Sequence, residues 1–171
     1  AFFVAFKIPN FFRRLFAEGA FIQSFIPVLN DYKTNNPMEL KKFISYVQGN
    51  LALILFIITF FGIIFSESII NLFAPGFVMG SERYILASDM LKVTFPYLFF
   101  IALTAMAAGI FNTFDKFLLP AITPVLLNVS LIFSALYLTN IFSTPIMALA
   151  YGVLIAGILQ YMIQIPFLYK L

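Results

Sequence analysis

Cysteine and histidine are both absent from the 171-residue sequence. Without cysteine there is no disulfide framework, no thiolate nucleophile and no zinc-finger spacing. Without histidine there is no imidazole base for a nucleophilic triad. The glycines are isolated from one another, so no glycine-rich phosphate loop is present, and the seven acidic residues are scattered without metal-binding spacing. We therefore expect no catalytic site, no metal and no cofactor in this stretch, and a protein that is not an enzyme.

Charge is also scarce, since 10% of the residues are charged and 63% are hydrophobic. An ordinary soluble domain is about a quarter charged and about half apolar. The apolar residues fall in long runs, which are typical of membrane-spanning helices. The ten Lys and Arg residues are dispersed and give a net charge of only +3, which argues against the basic face of a nucleic-acid binder. The composition predicts an all-α integral membrane protein.

Five hydrophobic segments predict a polytopic bundle of transmembrane helices that forms a single lobe. They cover residues 1–29, 43–66, 90–111, 120–138 and 146–168. The second contains the run LALILFIITFFGIIF and is long enough for the roughly 20 residues that a spanning helix requires. Because the sequence opens in an apolar stretch without a signal-peptide pattern, we expect it to be a piece of a longer chain.

The distribution of lysines predicts the orientation of the bundle. The connections between the segments are short, so each span is antiparallel to the one before it. The first connection is the polar stretch 30–42, which contains Asn35, Asn36 and Pro37 as helix breakers. The excess of Lys and Arg predicts that stretches 30–42 and 112–119 are cytoplasmic and that stretches 74–89 and 139–145 are periplasmic.

Several residues within the spans predict contacts between helices. Small residues four positions apart would let two helices approach closely, and amide side chains would form hydrogen bonds between helices. The small residues are Ala148, Gly152 and Ala156, with Ala105 and Gly109, and the amides are Asn128, Gln160 and Gln164.

The first segment differs from the others because it carries charges. At about 100° per residue, Lys7, Arg14 and Glu18 fall within roughly 40° of one another on a helix, and Arg13 widens this polar stripe. Three interpretations are open: an interfacial helix with its cations among the headgroups, a spanning helix whose cations face a water-filled cavity, or buried structural ion pairs. In the second, guanidinium groups would bind phosphate oxygens with paired hydrogen bonds, which suits an anionic headgroup.

The run AFFVAFKIPNFFRRLFAEGAFIQSFIPVL, residues 1–29, closely resembles the second transmembrane helix of the MurJ/MviN flippases. Further matches to that family follow in order at residues 74–77, 91–97, 109–113 and 124–128. The resemblance covers essentially the whole chain, which looks like helices two to six of the family. The sequence is therefore identified as a member of this family, covering most of its amino-terminal lobe.

The resemblance implies a multidrug/oligosaccharidyl-lipid/polysaccharide exporter fold, in which two helical lobes enclose a cationic cavity and alternate access to it. It implies lipid II as the substrate, moved from the inner to the outer leaflet of the bacterial cytoplasmic membrane, with membrane lipids as further partners. Arg13 matches the cavity arginine of the family, and Arg14 and Glu18 match its charged neighbours. With Lys7 they form the predicted substrate-binding set. Since the first helix and the second lobe of the family are missing, this stretch is not expected to transport by itself.

Three other functions stay open at this point. A sister flippase for another polyprenyl-pyrophosphate glycan, such as an O-antigen repeat, would use the same physical chemistry. A membrane scaffold in cell-wall assembly would not transport, and it would have no need for several cations inside a span. An integral-membrane enzyme would need a catalytic constellation outside these residues. The sequence does not fix the oligomeric state or the coupling ion.

Overall fold

The computed structural model of the protein describes residues 1–14 and 20–170, and these residues form an all-α bundle. The helices are α1 (Phe2–Arg13), α2 (Ala20–Asn35), α3 (Pro37–Ile64), α4 (Ser66–Phe73), α5 (Glu82–Thr94), α6 (Tyr97–Thr113), α7 (Leu118–Phe133), α8 (Met147–Met162) and α9 (Ile165–Tyr169). A π-helical turn, Ser134–Leu138, continues α7. The predicted fold class, a polytopic membrane helix bundle, is confirmed.

Four helical stretches are long and apolar enough to cross a membrane. They are Pro37–Ile64, Glu82–Thr113, Leu118–Leu138 and Met147–Tyr169. The second joins α5 to α6 and the fourth joins α8 to α9, with only a brief interruption between the two helices of each pair. The first predicted segment, 1–29, contains α1 and the start of α2, and residues 15–19 between them lie outside the described part of the chain.

Helix α6 lies at the centre of the bundle and packs against α1, α2, α3, α7 and α8. In the apolar window of Glu82–Thr113, 61% of the residues are buried, compared with 22% in Pro37–Ile64 and 17% in Leu118–Leu138. From Leu53 onward the exposed residues of α3 are large and apolar, as are most of those of α7, which is the composition of a surface that faces lipid. The core of the lobe is therefore built around α6, with α3 and α7 on its outside.

The polar stretch 30–42 is almost entirely helical rather than a loop. Helix α2 runs to Asn35, helix α3 begins at Pro37, and only Asn36 lies between them. The amide of Asn35 donates to the carboxylate of Asp31 at 2.7 Å, which supports the last turn of α2. Proline suits the first turn of a helix because its fixed φ is helical and its missing N–H would have no partner there. Pro37 therefore ends the continuation of α2 and is the first residue of α3.

The predicted linker 74–89 is also shorter than expected, because helix α5 already begins at Glu82. The hydroxyl of Ser81 accepts a hydrogen bond from the backbone N–H of Tyr84 at 3.3 Å and so caps the start of this helix. The side chain of Ser88 is buried and forms a 3.1 Å hydrogen bond with Ser66 at the start of α4. The polar residues of this stretch thus hold α4 against α5.

Three of the residues predicted to form interhelical contacts do so where α8 and the residues after it pack against α7 and its π-helical turn. A Cβ atom at Gly152 would lie 2.6 Å from the Oγ of Ser134, so only glycine permits this approach. Further along α8, the Nε2 of Gln160 donates to the carbonyl of Thr123 at 2.8 Å. One turn later, the Nε2 of Gln164 donates to the Oγ1 of Thr123 at 3.0 Å. Buried amides therefore tie the two helices together.

Candidate functional site on the exposed face of helix α1

A hydrogen bond from α5 connects α1 to the bundle, and its acceptor is a backbone carbonyl of α1 that has no N–H donor within the helix because of Pro9. Pro9 has no N–H, so the carbonyl oxygen of Ala5 loses its partner one turn later in α1. The Oγ1 of Thr94, at the end of α5, donates to this oxygen at 3.1 Å. Ala5, Ile8 and Pro9 are all buried against the neighbouring helices. The hydrogen bond and these buried residues together determine which face of α1 points into the lobe.

The opposite face of α1 carries cations and phenylalanines that the lobe does not cover. Phe3, Lys7, Phe11 and Arg14 are exposed, and at 100° per residue they fall within about 80° on one side of the helix. We call these four residues the exposed face of α1. Lys7 and Arg14, two of the predicted site residues, are therefore brought to the same surface of the lobe.

Arg13 lies beside the exposed face of α1 and is half-buried. Its Nε donates to the Oδ1 of Asn10 at 2.7 Å, one turn back in the helix. A hydrogen bond of this kind, in which the donor is charged, is short and directional. It orients the plane of the guanidinium relative to α1.

The fourth predicted residue, Glu18, lies outside the described residues. Within residues 1–14 and 20–170, no group of three or more acidic side chains could hold a metal ion. The described part of the site is thus a set of three cations on one helix, Lys7, Arg13 and Arg14, next to apolar rings. Such a surface can bind an anionic group that is attached to an apolar chain.

Two contacts that hold α1 and α2 against the rest of the lobe were not predicted from the sequence. One is the Thr94–Ala5 hydrogen bond. The other is Lys33, whose Nζ donates to the carbonyl of Thr113 at 2.6 Å and lies 4.8 Å from the ring centre of Phe114. A cation at this place satisfies a carbonyl at the end of α6 and complements the dipole of that helix. In the sequence, Lys33 is only one of the basic residues of stretch 30–42, and its partner could not be identified there because it lies 80 residues away.

Comparison with known proteins gives one consistent result. The family model described as "Lipid II flippase MurJ" matches residues 1–171. A protein of Buchnera aphidicola subsp. Baizongia pistaciae, named "Probable lipid II flippase MurJ", is 45% identical over 169 residues, which are 98% of this chain and 33% of the relative. A protein of Burkholderia cenocepacia, named "Lipid II flippase MurJ", is 39% identical over 99% of this chain and 33% of the relative.

A solved structure agrees with the sequence relatives. The structure titled "Lipid II flippase MurJ, inward closed conformation" superposes with a TM-score of 0.82 and 34% sequence identity, covering 99% of this chain and 35% of that chain. The chain therefore spans about a third of the length of the proteins that it matches.

Proposed function

The chain belongs to the lipid II flippase MurJ family, and on that premise we propose that the complete protein moves lipid II across the bacterial cytoplasmic membrane. The precursor, which carries a pyrophosphate between its lipid and its glycan, would pass from the inner to the outer leaflet by alternating access. The present lobe would form one wall of a central cationic cavity. The observation that carries this proposal is the cluster of Lys7, Arg13 and Arg14 on one side of α1.

The surroundings of α1 favour a cavity over the other interpretations of the charged segment. Charges that face lipid at mid-depth are costly, and charges buried in a bundle need partners. Lys7 and Arg14 are exposed on the lobe, so burial inside it does not account for them. A helix that lay flat among the headgroups would not need its apolar face packed into the bundle, as Ala5 and Ile8 are. A water-filled space between this lobe and the rest of the protein would hydrate Lys7 and Arg14 while the apolar face of α1 stays packed in the bundle.

Within that cavity we assign pyrophosphate binding to Arg13. A guanidinium can give two parallel hydrogen bonds to phosphate oxygens, and the bond from Nε to Asn10 orients the group before the substrate arrives. Lys7 and Arg14 add positive charge that a bulky dianion would meet first, because both are more exposed than Arg13. Glu18 would balance this charge or form part of a gate. The exposed rings of Phe3 and Phe11 would lie against the lipid tail.

A direct binding comparison tests the substrate. Purified complete protein should bind lipid II more tightly than an O-antigen precursor on the same polyprenyl pyrophosphate, and it should move lipid II between leaflets of a proteoliposome. Equal binding of both glycans would mean that recognition stops at the pyrophosphate, and the sister-flippase alternative would then replace the present one. A protein that binds neither lipid would be better described as a scaffold.

A further inference from the structure

A cavity of about 710 Å³ opens on the side of the lobe between α3, α6 and the α8–α9 pair. It does not involve α1, because none of its lining residues comes from that helix. Its volume lies within the 300–1,000 Å³ that is usual for sites that bind small amphiphilic or drug-sized molecules. We call it the lateral cavity. Its lining includes Lys41, Gln48, Gly49, Ala52, Leu103 and Tyr161.

Measured along α3 from Lys41 inward, the lateral cavity is about as deep as one membrane leaflet, and Pro37 and Met38 line it further out. Lys41, Lys42 and Lys170 are exposed at one end of the lobe, and charged groups are costly in the hydrocarbon core, so this end marks the headgroup level. From Lys41 at the mouth to Ala52 at the inner end, α3 rises about 16 Å. Half of a hydrocarbon core of roughly 30 Å is about 15 Å. A lipid that enters at the mouth would therefore reach about the bilayer midplane.

The polarity of the lateral cavity changes along this depth. At the mouth, the ammonium of Lys41 donates to the carbonyl of Tyr169 at 3.4 Å, which is longer than a normal hydrogen bond. Since an ammonium has three donors, Lys41 can also bind an anion there. Partway in, the Nε2 of Gln48 donates to the hydroxyl of Tyr161 at 2.6 Å, so these two polar groups are paired across the cavity wall. The inner end is formed by apolar side chains, among them Phe99 and Leu103.

From this order we infer that the lateral cavity binds an anionic phospholipid, with its phosphate at Lys41 and one acyl chain running inward to Ala52. Three features support this occupant: the cation at the mouth, the apolar inner end and the depth of one leaflet. Lys41, Ser45 and Gly49 are exposed along α3, so a lipid can enter sideways from the bilayer. The bound lipid would tie α3 to the α8–α9 pair on the side of the lobe away from α1. This inference does not depend on the transported substrate.

The test measures lipid binding to the purified complete protein. Phosphatidylglycerol and phosphatidylethanolamine with identical palmitoyl and oleoyl chains are titrated separately, and bound lipid is counted by native mass spectrometry. Lys41→Gln removes the charge at the mouth, and Lys42→Gln is its matched control, because Lys42 does not line the cavity. Gly49→Phe fills the cavity, since a Cβ at Gly49 meets open space. Leu53→Phe adds the same ring to an exposed position of α3 outside the lining.

The wild-type protein should bind phosphatidylglycerol about tenfold more tightly than phosphatidylethanolamine, because the ammonium of phosphatidylethanolamine offsets the attraction between its phosphate and Lys41. Lys41→Gln should remove that preference, Gly49→Phe should lower binding of both lipids, and the two controls should change neither. The milder Gly49→Leu variant replaces Gly49→Phe if the latter does not fold. If Lys41→Gln and Lys42→Gln act alike, the lipids bind only as a general shell and the inference is wrong. It is also wrong if the wild-type protein retains no lipid, as when another helix of the complete protein fills the cavity.

Discussion

The hydroxyl of Thr94 donates a hydrogen bond to the carbonyl oxygen of Ala5, which Pro9 has deprived of its partner in α1. The two residues are 89 positions apart, and both are fully buried. A carbonyl without a donor is costly inside a membrane bundle, where no bulk water replaces the lost bond. Pro9 in α1 creates the need for a donor and Thr94 in α5 supplies it, and the resulting hydrogen bond helps to orient α1 in the bundle.

Thr94→Val should lower the free energy of unfolding by about 1–3 kcal/mol, because it leaves the Ala5 carbonyl buried without a donor. Thr104→Val is the matched control. The hydroxyl of Thr104 is buried with no hydrogen-bond partner among the described residues, so its loss should be neutral or stabilising. Thermal unfolding of the purified complete protein measures both.

A double-mutant cycle sharpens this prediction. Pro9→Ala restores the N–H that the Ala5 carbonyl lacks, so Thr94→Val should cost clearly less in the Pro9→Ala background. If the cost of Thr94→Val is the same in both backgrounds, the hydroxyl acts elsewhere, for instance through its longer contact of 3.5 Å to the carbonyl of Leu91.

The contact between α7 and α8 gives a second prediction. Gly152→Ala should destabilise the lobe by about 1–3 kcal/mol, because the new methyl group would meet Oγ of Ser134 at 2.6 Å and its Cβ at 2.8 Å. Gly49→Ala, on α3, should instead be neutral or stabilising by up to about 1 kcal/mol, since nothing lies within 4 Å of its Cβ position. Thermal unfolding of the two variants should shift in opposite directions. Two equal shifts would contradict the close approach at Gly152.

The helical core of the bundle could be predicted from the sequence because its signal is local. The second segment contains the long apolar run 51–65, and α3 contains all of that run except Phe65. The start of α3 is not predicted by hydrophobicity, because the first turns of this helix are charged and have the composition of a loop. Only Pro37 indicates the start, and it does so as a first-turn residue rather than as a helix breaker. The same applies to α5, where Ser81 is the cap and the helix begins before the apolar run.

Contacts between distant residues could not be predicted in the same way. Gln160 and Gln164 were expected to bond across helices and do so, but their partner, Thr123, was not identifiable from spacing. The same prediction is wrong for Asn128, which is exposed on α7. An amide inside a span predicts that a partner is needed. Which side of the helix faces that partner depends on how the whole bundle packs.

The orientation of the lobe in the membrane is a third prediction. A green fluorescent protein fused after Thr34, at the end of α2, should fluoresce, and alkaline phosphatase at the same place should be inactive, because this end is expected in the cytoplasm. The reporters should show the reverse behaviour after Gly76, between α4 and α5. Phosphatase activity after Thr34 would invert the proposed topology and place the mouth of the lateral cavity in the outer leaflet.

The proposed substrate site is tested by replacing Arg13. Arg13→Ala in the complete protein should abolish lipid II flipping without unfolding, and Arg13→Lys should restore only part of it, because an ammonium cannot make the forked contact. Arg83→Ala, at an exposed position in the first turn of α5, is the control for loss of charge alone. Glu18→Gln should lower lipid II flipping slightly if Glu18 only balances charge, and strongly if Glu18 belongs to a gate. Full flipping by Arg13→Ala at normal protein levels would contradict the assigned role.

Access of water to α1 separates a transporter from a scaffold. This chain has no cysteine, so single cysteines can be introduced within it at Lys7, Arg13 or Glu18 once any others in the complete protein are removed. In intact membranes a water-soluble thiol reagent should label them, because a cationic cavity must be hydrated to accept a charged headgroup. Leu98→Cys, at a fully buried position of α6, should stay unlabelled. If all three positions on the charged segment are as unreactive as Leu98→Cys, the segment is dry, and a scaffold with structural charges is the better description of this lobe.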